Sequence, residues 1–181
     1  MQERNRQRVE EKVLSQLIRS SAAALLITLG FHAHASDFTG RATVIDGDTI
    51  EIHGQRIRLN GIDAPESWQT CVSAGGKSYR CGKVAADALD AWLSASRPTI
   101  CELVATDRYG RVVADCTRAD GAVVNAWLVE QGHAIDWPRY SNGAYETEQE
   151  RAKAARRGIW QGSFVMPCEA RARRAKRPAS C

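Results

Sequence analysis

No two cysteines of this 181-residue chain form a C-x-x-C pair, which argues against a structural zinc site. The four histidines, His32, His34, His53 and His133, make no catalytic arrangement, and two of them fall in the N-terminal segment. There is no internal repeat and no long low-complexity linker, so the length reads as one domain with tails. No apolar run is comfortable as a membrane span: Ala22 to Phe31 falls well short of the roughly 20 residues required. A large charge excess is missing too. Residues 36–167 carry 15 basic and 17 acidic side chains, which excludes a generic polyanion-binding surface. Nucleic-acid contact there must come from placed arginines or from a metal.

What is present begins with Arg4, Arg6, Arg8, Lys12 and Arg19, then the short apolar run, then Ala33-His34-Ala35. This order reads as a secretory signal peptide over 1–35, with cleavage near Ala35. Glu3, Glu10 and Glu11 interrupt the basic region, so an uncleaved anchor is the competing reading. All six cysteines, Cys71, Cys81, Cys101, Cys116, Cys168 and Cys181, follow that point. An even count after a signal peptide implies disulfides and an exported chain, periplasmic or secreted. Six cysteines allow about 15 pairings. The simplest is sequential: one bridge closing a loop, one across a hairpin, one tying down the tail. That tail, 168–181, holds five basic residues and one acid, Glu169, and is expected to be a solvated terminus. The organisation expected is signal peptide, a domain over 36–167, and a basic tail.

Alternation predicts strands at "TGRATVID", "TIEIHG" and "QRIRLN", with Ile57 and Leu59 on one face and Arg58 on the other. Pro65 ends this run. Residues 67–81 form a long loop. "KVAADALDAWLS" predicts a helix with Ala85, Leu89, Trp92 and Leu93 inward. "PTICELVA" and "GRVVADC" predict a hairpin around "TDRYG". "VVNAWLVEQGHA" predicts a second helix, capped by Asn125 and closed by Gly132; "YETEQERAKAARRG" predicts a third, with Gly158 at its C-cap. Five strands and three helices in this order predict an α+β fold, either a five-stranded OB-type Greek-key barrel carrying helices or a generic α+β sheet.

Four acids stand at the strand ends. Singly, Asp46 and Asp48 around Gly47, Asp63 before Ala64-Pro65, and Glu66 all read as turn or surface residues. Together they place several oxygen donors where two segments could meet, and such donors suit a hard cation. Arg58 and Arg111 add guanidinium forks that bind phosphate bidentately. The combination suggests a phosphate-handling site.

From about Ala42 to Trp160 the chain resembles the staphylococcal nuclease (thermonuclease) family, on "VIDGDTI", "RLNGIDAPE", "DRYGR", "VNAWLVEQGHA" and "GIW" in that order. The resemblance implies an OB-type barrel with helices. It also implies a calcium-dependent nuclease that hydrolyses DNA and RNA to 3′-phosphate products. Asp48 and Asp63 match calcium-binding aspartates, with the backbone carbonyl of Ala64 as a further ligand and Asp46 nearby. Glu66 matches the catalytic glutamate, and Arg58 and Arg111 the catalytic arginines. Tyr109 and Arg108 match residues that contact substrate phosphate.

The loop after Glu66 looks longer than the family's and carries Cys71 and Cys81, which bears on substrate preference. Trp137 and Tyr140 could stack on a base or pack in the core. The expected protein is a monomer with no stable membrane association once cleaved. The competing reading is a non-catalytic nucleic-acid-binding OB-type module.

Overall fold

The computed structural model describes residues 37–179 and 181; the expected signal peptide lies outside the described residues. The first strand pair explains the architecture. "TGRATVID" is not one strand but two, β1 (Asp37–Gly40) and β2 (Thr43–Asp46). They lie at opposite edges of a six-stranded sheet whose order is Asp37–Gly40, Thr99–Thr106, Val112–Arg118, Gln55–Leu59, Thr49–Ile52 and Thr43–Asp46. Three chain steps join the end of β1 to the start of β2, a reach of at most about 11 Å. The sheet must therefore curl until those corners meet. The His53 ring spans the seam, its Nε2 lying 3.2 Å from the Thr39 carbonyl. No ladder joins β1 to β2 among the described residues, so the strands do not close into a ring.

Between the edges, β3 (Thr49–Ile52) and β4 (Gln55–Leu59) form the tight hairpin expected from His53-Gly54. β8 (Thr99–Thr106) and β9 (Val112–Arg118) form the second hairpin. β9 then runs parallel to β4, the one parallel contact of the sheet. Two-residue pairs complete the strands: β5 (Ile62–Asp63) with β10 (Ile135–Asp136), and β6 (Cys71–Val72) with β7 (Ser78–Tyr79). Segments this short show no alternation, which is why the expected five strands fall below the observed number.

The α+β class holds, with five α-helices among the described residues rather than the three expected. They are α1 (Cys81–Ser94), α2 (Val124–Glu130), α3 (Pro138–Ser141), α4 (Glu146–Ala154) and α5 (Pro167–Arg174). α1 puts Leu89 and Leu93 into the core with Ile50, Ile52, Ile57 and Leu59, and buries Ala85 as well. Trp92 is partly buried against this core and stacks on Trp127, centroids 4.3 Å apart. Gly132 closes α2 at φ 67°, its N–H donating to the Val129 carbonyl.

Two expected caps are corrected. Asn125 does not cap α2: it is fully buried, its Oδ1 accepting from the Cys116 N–H and its Nδ2 donating to the Asn60 carbonyl. It thereby satisfies backbone groups where α2 meets the sheet. α4 ends at Ala154 with Ala155 as its C-cap, and Gly158 instead begins a 3-10 turn over Gly158–Gln161.

The disulfides are sequential: Cys71–Cys81, Cys101–Cys116 and Cys168–Cys181. Cys101 and Cys116 are direct cross-strand partners in the β8–β9 hairpin. The tail also differs from a solvated terminus. Pro167 at the helix start and the buried Cys168, Ala170 and Ala172 make α5 an amphipathic helix that lies on the domain.

Candidate active site

Asp48 follows Gly47 in the β2–β3 turn and is held from three sides. Its Oδ1 accepts from the Thr49 hydroxyl at 3.0 Å and from Arg58 Nη1 at 2.9 Å, and its Oδ2 from the Ala64 N–H at 3.2 Å. Arg58 faces it because β4 sets Arg58 directly opposite Thr49. The other arm of the same guanidinium reaches Asp63 Oδ1 at 3.3 Å. Asp63 ends β5, where pairing with Ile135 of β10 buries it to 1% exposure. Strand register alone thus brings two carboxylates within reach of one arginine.

Glu66 follows the Pro65 break. Its N–H donates to Gln69 Oε1 and its carbonyl accepts from the Gln69 N–H, while Gln69 Nε2 donates to the Val165 carbonyl at 2.6 Å. A buried glutamine therefore fixes the glutamate backbone against the segment leading into α5.

α5 supplies a residue that sequence reasoning missed. Arg171 forks onto Asp63, Nη1 to Oδ1 at 2.7 Å and Nη2 to Oδ2 at 2.9 Å, and its Nη1 also reaches Glu66 Oε1 at 2.9 Å. Below both guanidiniums lies Trp137, whose ring centroid is 5.9 Å from Arg58 Cζ and 5.6 Å from Arg171 Cζ. Trp137 is thus a platform for the site's arginines. The one sequence signal for Arg171 was the Cys168–Cys181 spacing, which pins the segment that carries it.

The electrostatics follow from crowding. Burial pushes the Asp63 carboxyl above its ordinary range, against the hydrogen bonds and charge of Arg171. Burial also raises Asp46, opposed by the Gly47 N–H and reinforced by repulsion from Asp48 and Glu66. Asp46 therefore belongs to the acidic group. Burial disfavours the charged Arg171, but its bonds to Asp63 and Glu66 overcome this and hold it protonated.

The second cationic arm is not bonded to these acids among the described residues. Arg111 sits at the end of the β8–β9 turn, its backbone N–H and Nε both held by Asp107 at 2.9 and 2.8 Å. It makes no hydrogen bond or ion pair with Asp48, Asp63 or Glu66 among the described residues. Tyr109, well exposed on the same turn, stands beside the guanidiniums of Arg108 and Arg111, at 4.9 and 6.0 Å. The turn presents Arg108 and Tyr109 exposed, with Arg111 half-buried beside them.

Chemically, Asp48, Asp63 and the Ala64 carbonyl are hard oxygen donors of the type a divalent cation takes. In this structure the carboxylates are neutralised by guanidiniums, and no three acids stand free to form a metal cluster among the described residues.

A family model described as staphylococcal nuclease homologue matches residues 56–162, a span holding Arg58, Asp63, Glu66 and Arg111. The succinoglycan biosynthesis protein ExoI of Rhizobium meliloti is 50% identical over 167 residues, covering 92% of this chain and 87% of that protein. A micrococcal nuclease of Shigella flexneri is 32% identical, over 79% of this chain and 84% of its own length. An uncharacterized endonuclease of Escherichia coli is 28% identical, over 83% and 95%.

Proposed function

The chain belongs to the staphylococcal nuclease family, and from that premise we propose that it is an exported, calcium-dependent phosphodiesterase that cleaves DNA and RNA. The observation that carries this reading is the convergence of Asp48 from one segment, and Asp63 and Glu66 from another, on the guanidiniums of Arg58 and Arg171. Oxygen donors beside phosphate-binding forks are what phosphodiester hydrolysis requires.

Asp48, Asp63 and the Ala64 carbonyl would hold calcium, which supplies charge neutralisation of the phosphodiester and Lewis acidity. Glu66 accepts a proton from the attacking water or orients it. Arg58 stabilises the negative charge that grows on the phosphoryl oxygens, a contribution on the order of 3 kcal/mol for one well-placed donor. Arg111 is assigned the same role at the other side of the phosphate, together with Tyr109 and Arg108. The Arg111 guanidinium donates to Asp107 through Nε, so that contact leaves its Nη groups to meet a phosphate. Cleavage of the 5′ P–O bond leaves a 3′-phosphate.

The three disulfides support an oxidising, exported setting. Removal of 1–35 would release a monomer with no membrane attachment. The curled sheet supports an OB-type barrel left unsealed between β1 and β2. The Rhizobium relative is named for polysaccharide biosynthesis, yet a glycosidic bond is cut by a carboxylate pair with no need of paired arginines. The acid and arginine set therefore favours a phosphodiester.

The test is to incubate the chain from Ser36 onward with end-labelled DNA and RNA, in calcium or in chelator. Calcium-dependent shortening of both is expected. Retention of intact labelled strands in a complex, with no cutting, would establish the binding-module reading instead.

A further inference from the structure

Arg171 is given no step in the hydrolysis set out above, yet it makes the shortest hydrogen bond to the site's acids, 2.7 Å to Asp63 Oδ1. Both oxygens of Asp63 accept from it, and one of its nitrogens bridges Asp63 to Glu66. Its helix is docked independently of those contacts. Cys168–Cys181 closes the tail, Trp137 Nε1 donates to the Cys181 carbonyl, and Gln69 holds the Val165 carbonyl. Arg174 Cζ lies 4.6 Å from the centre of the Trp68 ring. The guanidinium is thus delivered to the acids by a fixed support, not by a swinging tail.

We propose that Arg171 is a positioning residue that stands in for the cation: it holds Asp63 and Glu66 together in the calcium-free protein and competes with calcium for Asp63. This rests on the calcium-dependent reading above. The reasoning is electrostatic. Asp46, Asp48, Asp63 and Glu66 repel one another, and without positive charge between them the group would spread. Arg171 prevents that spread. The same fork occupies both oxygens of a ligand that is 1% exposed, so a cation enters only when the fork lets go. Apparent cation affinity is then lowered by the fraction of molecules in which Arg171 is bound.

The test is calorimetric titration of calcium alone into the chain from Ser36 onward, as wild type, Arg171→Met, Arg171→Lys and Arg173→Met, with melting curves in chelator and in calcium. Arg173 is the control: it sits on the same helix and carries the same charge, but its partner is Glu169. Arg171→Met should bind calcium about tenfold more tightly or better, as loss of a charge-assisted hydrogen-bonded competitor implies. It should also melt lower in chelator and gain more from calcium than wild type. Arg171→Lys, with a point charge that cannot fork, should fall between. Arg173→Met should bind as wild type does. Equal calcium affinity of wild type and Arg171→Met, or the same gain from Arg173→Met, would overturn the competition while leaving calcium dependence intact. Absence of calcium binding by every form would overturn both.

Discussion

Alanine at Gly82 should disable the enzyme without touching any functional side chain. Gly82 is the second residue of α1 and is buried against the chain at Pro65 and Glu66. A β-carbon there would lie 1.7 Å from the Glu66 carbonyl oxygen and 2.9 Å from that of Pro65. The shorter figure is under half of the roughly 3.5 Å at which non-bonded atoms pack best. Both partners are backbone, so no flexible side chain can absorb the clash. Either α1 or the Glu66 segment must shift by more than about 1 Å, and overpacking of this kind costs about 1–3 kcal/mol. α1 is held by Leu89 and Leu93 in the core and by the covalent Cys81–Cys71 bridge, whereas Glu66 is held only by hydrogen bonds and an ion pair, from Gln69 and Arg171, among the described residues. The glutamate is therefore the weaker side. A displacement of about 1 Å at a reacting group lowers rate by about 100-fold. Single-turnover cleavage of a labelled oligonucleotide in saturating calcium, paired with a melting curve, measures both effects. Gly75→Ala is the control, because a β-carbon there meets nothing within 4 Å. A Gly82→Ala protein with wild-type rate and melting temperature would refute the reasoning that α1 sets the position of Glu66.

Arg58→Met should lower the cleavage rate by about 100-fold to 1,000-fold. It should also lower the melting temperature in chelator, since it leaves Asp48 and Asp63 buried beside one fewer positive charge, with calcium recovering part of the loss. Replacing Cys101 and Cys116 together by alanine should cost about 3 kcal/mol by urea denaturation, as expected for a cross-link closing a loop of this length. Burial lowers the His133 pKa, so the folded protein declines a proton that the unfolded chain accepts. Its stabilisation is complete above about pH 6.5 and is lost as pH falls towards the lower folded value. His133→Phe should flatten the fall in melting temperature between about pH 7.5 and 5.5, and an unchanged slope would show that other groups set it.

The parts of the fold readable in advance were those governed by local rules. Ile57 and Leu59 turn inward and Arg58 outward by strand alternation, and the Cys101–Cys116 bridge follows from a hairpin centred between them. What failed was non-local. Nothing in "TGRATVID" marks the break at Arg41-Ala42 that sends its halves to opposite edges, because each half alternates as well as the whole. Asn125 looked like a cap because its role depends on Cys116 and Asn60, remote in sequence. Asp48, Asp63, Glu66 and Arg58 were identified from their motifs and are neighbours in space. Among the described residues Arg111 is not bonded to them, and its Nε donates to Asp107 four residues earlier. Arg171 was hidden by composition: among five basic residues of a tail, only burial of Ala170 and Ala172 distinguishes a docked helix from a solvated one.

The central claim is that Glu66 acts on the water while the aspartates hold the cation. The most direct measurement is the rate of calcium-dependent DNA cleavage by Glu66→Ser beside wild type, with calcium affinity determined on both proteins. The account predicts a rate lower by at least about 100-fold, as expected for loss of a general base, with calcium binding retained. Equal cleavage by the two proteins at saturating calcium would contradict it.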